Sequence, residues 1–158
     1  MSSSWSVEVE AQSPASKLFK AAFIDWHNLG PKVVPEVIAS AVPISGHGSP
    51  GSIRQINFTS AMPFSYLKEQ LEFIDHEKLE LKASLVEGGG LAEWLECASS
   101  RIKVEPTAGS GAVVKMEVSC KALPGVDVSE YIKKAKESFA GMVKAADGYL
   151  LANPTAYA

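Results

Sequence analysis

The sequence is short of several things, and each shortage removes a class of function. Two cysteines, Cys97 and Cys120, are too few for a disulfide framework. Fifteen basic residues stand against eighteen acidic ones, a formal net charge of −3, so the chain lacks the bulk positive charge of a typical nucleic-acid surface. No apolar run approaches the roughly 20 residues that cross a bilayer, which predicts no membrane partner. The first ten residues alternate with acids and form no signal-peptide apolar core, so a cytoplasmic protein is expected. His27, His47 and His76 have no Cys or His partner at ligand spacing, which predicts neither a metal site nor a cofactor. Repeats and low-complexity segments are absent too, and no Ser/His/Asp or Cys/His pattern can be traced.

What is present is one long helical pattern and a series of strand patterns. At 158 residues a single monomeric domain spanning 1–158 is expected, large enough for a substantial core or an enclosed cavity. From Asp127 to Asn153, apolar residues recur at steps of three and four: Val128, Tyr131, Ile132, Ala135, Phe139, Met142, Val143, Ala146, Tyr149 and Leu150. Asp127 and Glu130 read as a capping box for that helix, and Gly141 and Gly148 as marks of a bend or close contact. Upstream, Trp5, Val7 and Val9 alternate with polar residues as a first strand. Ser13 and Pro14 read as the cap and first residue of a short helix, and a second short helix covers 25–33.

Six further strands follow at 37–44, 52–58, 64–74, 79–85, 94–105 and 112–121, joined by hairpin-length links. The apolar phase of 64–74 switches from even positions, Phe64 and Tyr66, to odd ones, Leu67, Leu71 and Phe73, which predicts a bulge. In strand six Cys97 opposes Ala98, Ser100, Ile102 and Val104, whereas in strand seven Cys120 shares the apolar face, so two free thiols on opposite faces are expected. The layout is α+β: a seven-stranded antiparallel curved sheet, two short helices between strands one and two, and a long C-terminal helix. One helix about 10 Å across cannot fill so wide a curved sheet, which predicts an internal cavity.

Particular motifs carry a resemblance as well. Lys17-Leu18-Phe19-Lys20-Ala21, Asn28 to Val33, Gly46 to Ile53, Pro63 to Tyr66, Val86-Glu87-Gly88-Gly89 and Tyr149-Leu150-Leu151-Ala152 occur in order along the whole chain. Together they resemble the plant pathogenesis-related class 10 proteins, whose type member is the major birch pollen allergen. The resemblance implies the helix-grip fold, in which seven antiparallel strands hold a C-terminal helix over a large cavity. It also implies a stress- or defence-related protein that takes a small hydrophobic or amphipathic ligand, such as a cytokinin, abscisic acid, a flavonoid or a steroid.

Alternation and resemblance together nominate Phe23, Ile38, Arg54, Ile56, Phe58, Phe64, Tyr66, Leu81, Ala83, Leu85, Ile102, Phe139 and Val143 as ligand-binding residues. Tyr66 stands out, because a phenol pointed inward needs a polar partner and could orient a ligand. The glycine-rich loop is Gly46, Gly48 and Gly51; a strand follows it and not a helix, so it reads as a structural turn and not a phosphate loop. Relatives described as ribonucleases match at Glu96, Asp147 and Tyr149, which makes weak RNA hydrolysis the alternative function, with RNA as the alternative partner. A phosphatase-inhibiting hormone receptor comes last, because Thr59-Ser60-Ala61-Met62-Pro63 replaces the receptors' Ser-Gly-Leu-Pro-Ala gate.

Overall fold

A computed structural model describes residues 2–158. β1 (Ser2–Ala11) is followed by α1 (Ala15–Phe19), a π-helical segment (Lys20–Ile24) and α2 (Trp26–Val33). Then come β2 (Ile38–Ser45), β3 (Ile53–Phe58), β4 (Tyr66–Asp75), β5 (Glu80–Gly88), β6 (Leu95–Pro106), β7 (Ala112–Ala122) and α3 (Ser129–Ala152). The strands form one sheet in the order β1-β7-β6-β5-β4-β3-β2, and every neighbouring pair is antiparallel. The expected curved-sheet and long-helix layout is therefore the observed one. The helical connection between β1 and β2 crosses the sheet, because its two ends lie on opposite edges.

Alternation sets the inward face. In β7, Ala112, Val114, Met116, Val118, Cys120 and Ala122 are all buried, and the residues between them are not. The main core gathers at one end of the sheet, where Leu18, Phe19, Val104, Ala112, Val114, Val143 and Ala146 are essentially excluded from solvent. There the C-terminal half of α3 is seated, with Phe139, Val143, Ala146, Asp147 and Leu150 buried. Between Ser129 and Ser138 the same helix buries no residue. α3 is thus seated at its C-terminal half and stands off from the sheet at its N-terminal half.

Several sequence expectations are corrected. Ser13 does not cap α1; its amide donates to Asp147 Oδ1 at 2.9 Å, and Pro14 occupies the cap position. Half of the capping box of α3 forms: Asp127 Oδ1 accepts the Ser129 amide at 2.9 Å and the Ser129 hydroxyl at 2.6 Å, but Val128 is the cap residue and Glu130 returns no bond. The bulge in β4 is present as register shifts at Lys68/Glu69 and Leu71/Phe73. The second shift reverses the pleat, so Phe73 is 43 % exposed while Ile74 turns inward.

Gly141 and Gly148 mark no close contact, since a Cβ built on either would meet nothing within 4 Å. Each therefore keeps the backbone-entropy cost of glycine in a helix with no packing return. Gly148→Ala should stabilise the protein by about 1 kcal/mol, raising the melting temperature by about 2–4 °C. Thermal unfolding followed by circular dichroism checks this; an unchanged or lower midpoint would mean that the glycine has a role its surroundings do not show.

A cavity between sheet and helix

The space left under the raised half of α3 is a cavity of about 1440 Å³. Its floor is the inward face of the sheet, to which all seven strands contribute, β2 through Ile38, Pro43 and Ser45. β3 gives Arg54, Ile56 and Phe58, β4 Leu67, Glu69 and Leu71, and β5 Leu81, Ala83 and Leu85. β6 contributes Ala98, Ser100 and Ile102, β7 Met116, Val118 and Cys120, and β1 Trp5. Ala22 and Phe23 from the π-helical segment, with Phe139 and Met142 from α3, close it from above. The Phe23 and Phe139 rings stack with centroids 6.1 Å apart, joining the two covers.

Ionisable groups collect at one corner. Arg54 Nε donates to Glu69 Oε1 at 2.6 Å and a terminal nitrogen donates to the Phe23 carbonyl at 2.9 Å. His27 Nδ1 is 3.5 Å from the same guanidinium. Burial lowers the pKa of His27, and the Arg54 charge lowers it further against the opposing pull of Asp25, so the imidazole is neutral at pH 7. Arg54 is thereby a wall residue whose charge is already met by a carboxylate.

At the raised end the rim is aromatic. Phe58 and Phe64 lie 5.4 Å apart, Phe64 and Trp94 6.3 Å, and Trp94 and Tyr131 5.8 Å, a chain that links β3 to α3. Tyr131 Oη donates to the Gly89 carbonyl at 3.0 Å, tying the helix to the Gly88-Gly89-Gly90 turn. Burial pushes the Tyr131 phenol up to about 12. Gly90 makes this approach possible: its φ is +101°, and a Cβ there would stand 2.9 Å from the Trp94 ring. Ser138 Oγ meets Met62 Sδ at 3.8 Å across the same rim.

Of the residues nominated from sequence, Phe23, Ile38, Arg54, Ile56, Phe58, Phe64, Leu81, Ala83, Leu85, Ile102 and Phe139 line the cavity. Tyr66 does not. β4 begins at Tyr66, so Phe64 belongs to the preceding loop and shares no pleat with it; the Tyr66 hydroxyl points outward and donates to Glu87 Oε2 at 2.6 Å. Val143 is wholly buried in the core beyond the cavity wall. Gly46 and Gly48 reach the wall, whereas Gly51 donates its amide to the Leu71 carbonyl at 2.7 Å. The Gly48 amide is likewise taken by Ser52 Oγ at 3.0 Å, so the loop is a turn whose donors are used internally.

Glu96, Asp147 and Tyr149 do not come together. Glu96 pairs with Lys121 at 3.1 Å, and Lys121 sits opposite Ser2 at one end of β1. Asp147 lies past the other end: Oδ2 accepts the Gln12 amide at 3.0 Å and Oδ1 the Ser13 amide at 2.9 Å. The length of β1, about 30 Å, stands between them. Tyr149 packs half-buried against the main core. Missed from sequence were His27, Glu69, Trp94 and Tyr131 on the wall and rim, together with Trp5, Met116 and Cys120. The last three were readable, since each shares strand parity with residues placed inward.

Comparisons with known proteins agree over the length of the chain. The model of the "Pathogenesis-related protein Bet v 1 family" matches residues 1–153. "Pathogenesis-related protein 1" of Asparagus officinalis is 52 % identical over 157 residues, 99 % of this chain and 98 % of that one. "Major pollen allergen Bet v 1-M/N" of Betula pendula is 36 % identical over 151 residues, 95 % and 94 % of the two chains. Among solved structures, Ara h 8.0201 superposes with a TM-score of 0.84 at 27 % identity, covering 97 % of this chain and all of that one. Norcoclaurine synthase from Thalictrum flavum has a TM-score of 0.79 at 21 % identity over 96 % and 87 % of the chains, a likeness of fold alone.

The geometry gives Asp147 a structural role. Removing its carboxylate leaves the amides of Gln12 and Ser13 without acceptors, at about 1–3 kcal/mol for each buried donor. Asp147→Ala should lower stability by about 2–4 kcal/mol in urea denaturation and leave binding of an apolar probe by the folded fraction unchanged. A variant of wild-type stability would refute the clamp.

Proposed function

We propose, from the premise that this chain belongs to the pathogenesis-related protein Bet v 1 family, that it holds small, largely apolar plant metabolites in its cavity. Cytokinins, abscisic acid, flavonoids and steroids are the classes of suitable size and amphipathic character, and the setting is a defence or stress response. One observation carries the reading: a space of about 1440 Å³ lined by apolar residues from all seven strands, in a chain that has enough side chains to build a solid core elsewhere. Apolar burial at about 25 cal/mol per Å² drives such binding, with few polar anchors, so affinities should be micromolar and selectivity broad. On β6 and β7 the inward groups are Ala98, Ser100, Ile102, Met116, Val118 and Cys120, of which only a thiol ionises, and burial holds that thiol protonated.

The test is displacement of 1-anilinonaphthalene-8-sulfonate by a panel of these compounds. Wild type should show saturable displacement. Ala83→Trp, which grows an indole from the middle of the floor, should weaken probe and competitors by about tenfold or more. Tyr66→Phe, whose hydroxyl faces away from the cavity, should change neither. Equal binding by wild type and Ala83→Trp would place the probe outside the cavity and defeat the reading.

A further inference from the structure

We infer that the segment following α3, residues 153–158, is a strap that sets the width of one mouth of the cavity, with Tyr157 as the residue that positions the helical side of that mouth. The inference rests on the ligand-binding reading and adds how a ligand enters and leaves. The cavity wall runs out between α2 and the glycine-rich loop. Asp25 and His27 stand on the helical side, and Gly46, His47 and Gly48, all exposed, stand on the other.

Asp25 is the joint on which the helical side turns. Its amide makes the last bond of the π-helical segment, to the Lys20 carbonyl at 2.8 Å, and its carbonyl accepts the Asn28 and Leu29 amides at 2.9 and 3.0 Å as α2 begins. Its carboxylate is claimed twice: Oδ1 accepts from Asn28 Nδ2 at 2.6 Å, and Oδ2 accepts from the Tyr157 hydroxyl. Burial and the Asp25 charge both push the Tyr157 pKa up, so the phenol keeps the proton that this bond needs. A second tether lies beside it, where Lys17 Nζ of α1 donates to the Pro154 carbonyl. Within 153–158 only Ala156 and Tyr157 are partly buried, and both pack against the main core. Tyr157 does so at a φ of +58°, a left-handed backbone that a bulky residue keeps only where its surroundings hold it. The segment therefore runs from the seated end of α3 to the joint that carries Phe23 and His27. Tyr157 itself is not part of the cavity wall, so it acts on the mouth through Asp25.

Stopped-flow exchange of 1-anilinonaphthalene-8-sulfonate tests this on wild type, on Tyr157→Phe, which keeps the ring and loses the donor, and on the chain with residues 154–158 deleted. A looser mouth speeds entry and release together, because both cross the same barrier, and it leaves the bound state as it was. In Tyr157→Phe both rate constants should rise about tenfold, the effect of one hydrogen bond to a charged acceptor, with Kd within about twofold of wild type. The deletion, which removes both tethers, should raise them at least as far. Unchanged entry and release in Tyr157→Phe overturn the strap, even if the variant melts earlier, and leave the ligand reading standing. A weaker Kd at an unchanged entry rate also overturns it, since the loss then falls on the bound state and not on the mouth. Should the deleted chain fail to fold, Tyr157→Phe decides alone. Absence of probe binding by folded wild type overturns the ligand reading and the strap with it.

Discussion

The controlling constraint is a mismatch of areas. Seven strands at about 4.8 Å spacing make a sheet roughly 30 Å wide, and the one long element set against its concave face is a helix about 10 Å across. The helix cannot cover the sheet, and the short helices between β1 and β2, packed on β6 and β7 at one side and on β2 and β3 at the other, close only one end. Burial is therefore concentrated where α3 and α1 meet β1, β6 and β7, and what remains of the concave face is apolar surface turned toward a void. The cavity follows from this covering problem, and its lining follows from the two-residue period of the strands.

Two contacts decide how α3 spans the gap. Near its C-terminus, Asp147 takes the amides of Gln12 and Ser13 as the chain leaves β1, fixing the helix to the corner where the core is solid. Near its N-terminus, Tyr131 reaches the Gly89 carbonyl and continues an aromatic chain through Trp94 and Phe64 to Phe58. The first contact is backbone-directed and buried, the second a partly exposed rim of rings. Opening of the cavity would be cheapest at the rim, since local opening follows low burial density.

Much of this was legible in the chain. Period two set the strands and most of the wall, period three to four set α3, and the phase switch in 64–74 announced the bulge in β4. What failed did so where the pleat is interrupted. The parity of Phe64 turns Tyr66 inward, but Phe64 lies in a loop, so its parity does not carry into β4. Phe73 was flipped by the second register shift. Asp147 enters the sequence reading only through the resemblance to relatives described as ribonucleases, whereas its contacts are two backbone amides more than 130 residues away in sequence, which no local pattern encodes. The polar corner was partly hidden for the same reason: Arg54 showed its inward parity, but its pairing with Glu69 depends on the β3–β4 register, and His27 arrives from another element.

Several ionisable groups in the wall are held in a quiet state. Arg54 and Glu69 neutralise one another, His27 is kept uncharged by burial and by Arg54, and Tyr131 and Cys120 are held protonated by burial. A wall of this kind acts largely as an apolar solvent with few directed contacts. Burying about 300 Å² of apolar ligand surface is worth about 7 kcal/mol, and association itself costs several of those. What is left corresponds to weak binding that barely distinguishes one hydrophobic body from another. Selectivity must then come from the shape of the cavity and from the few polar groups of its wall, among them Arg54, Glu69 and His27.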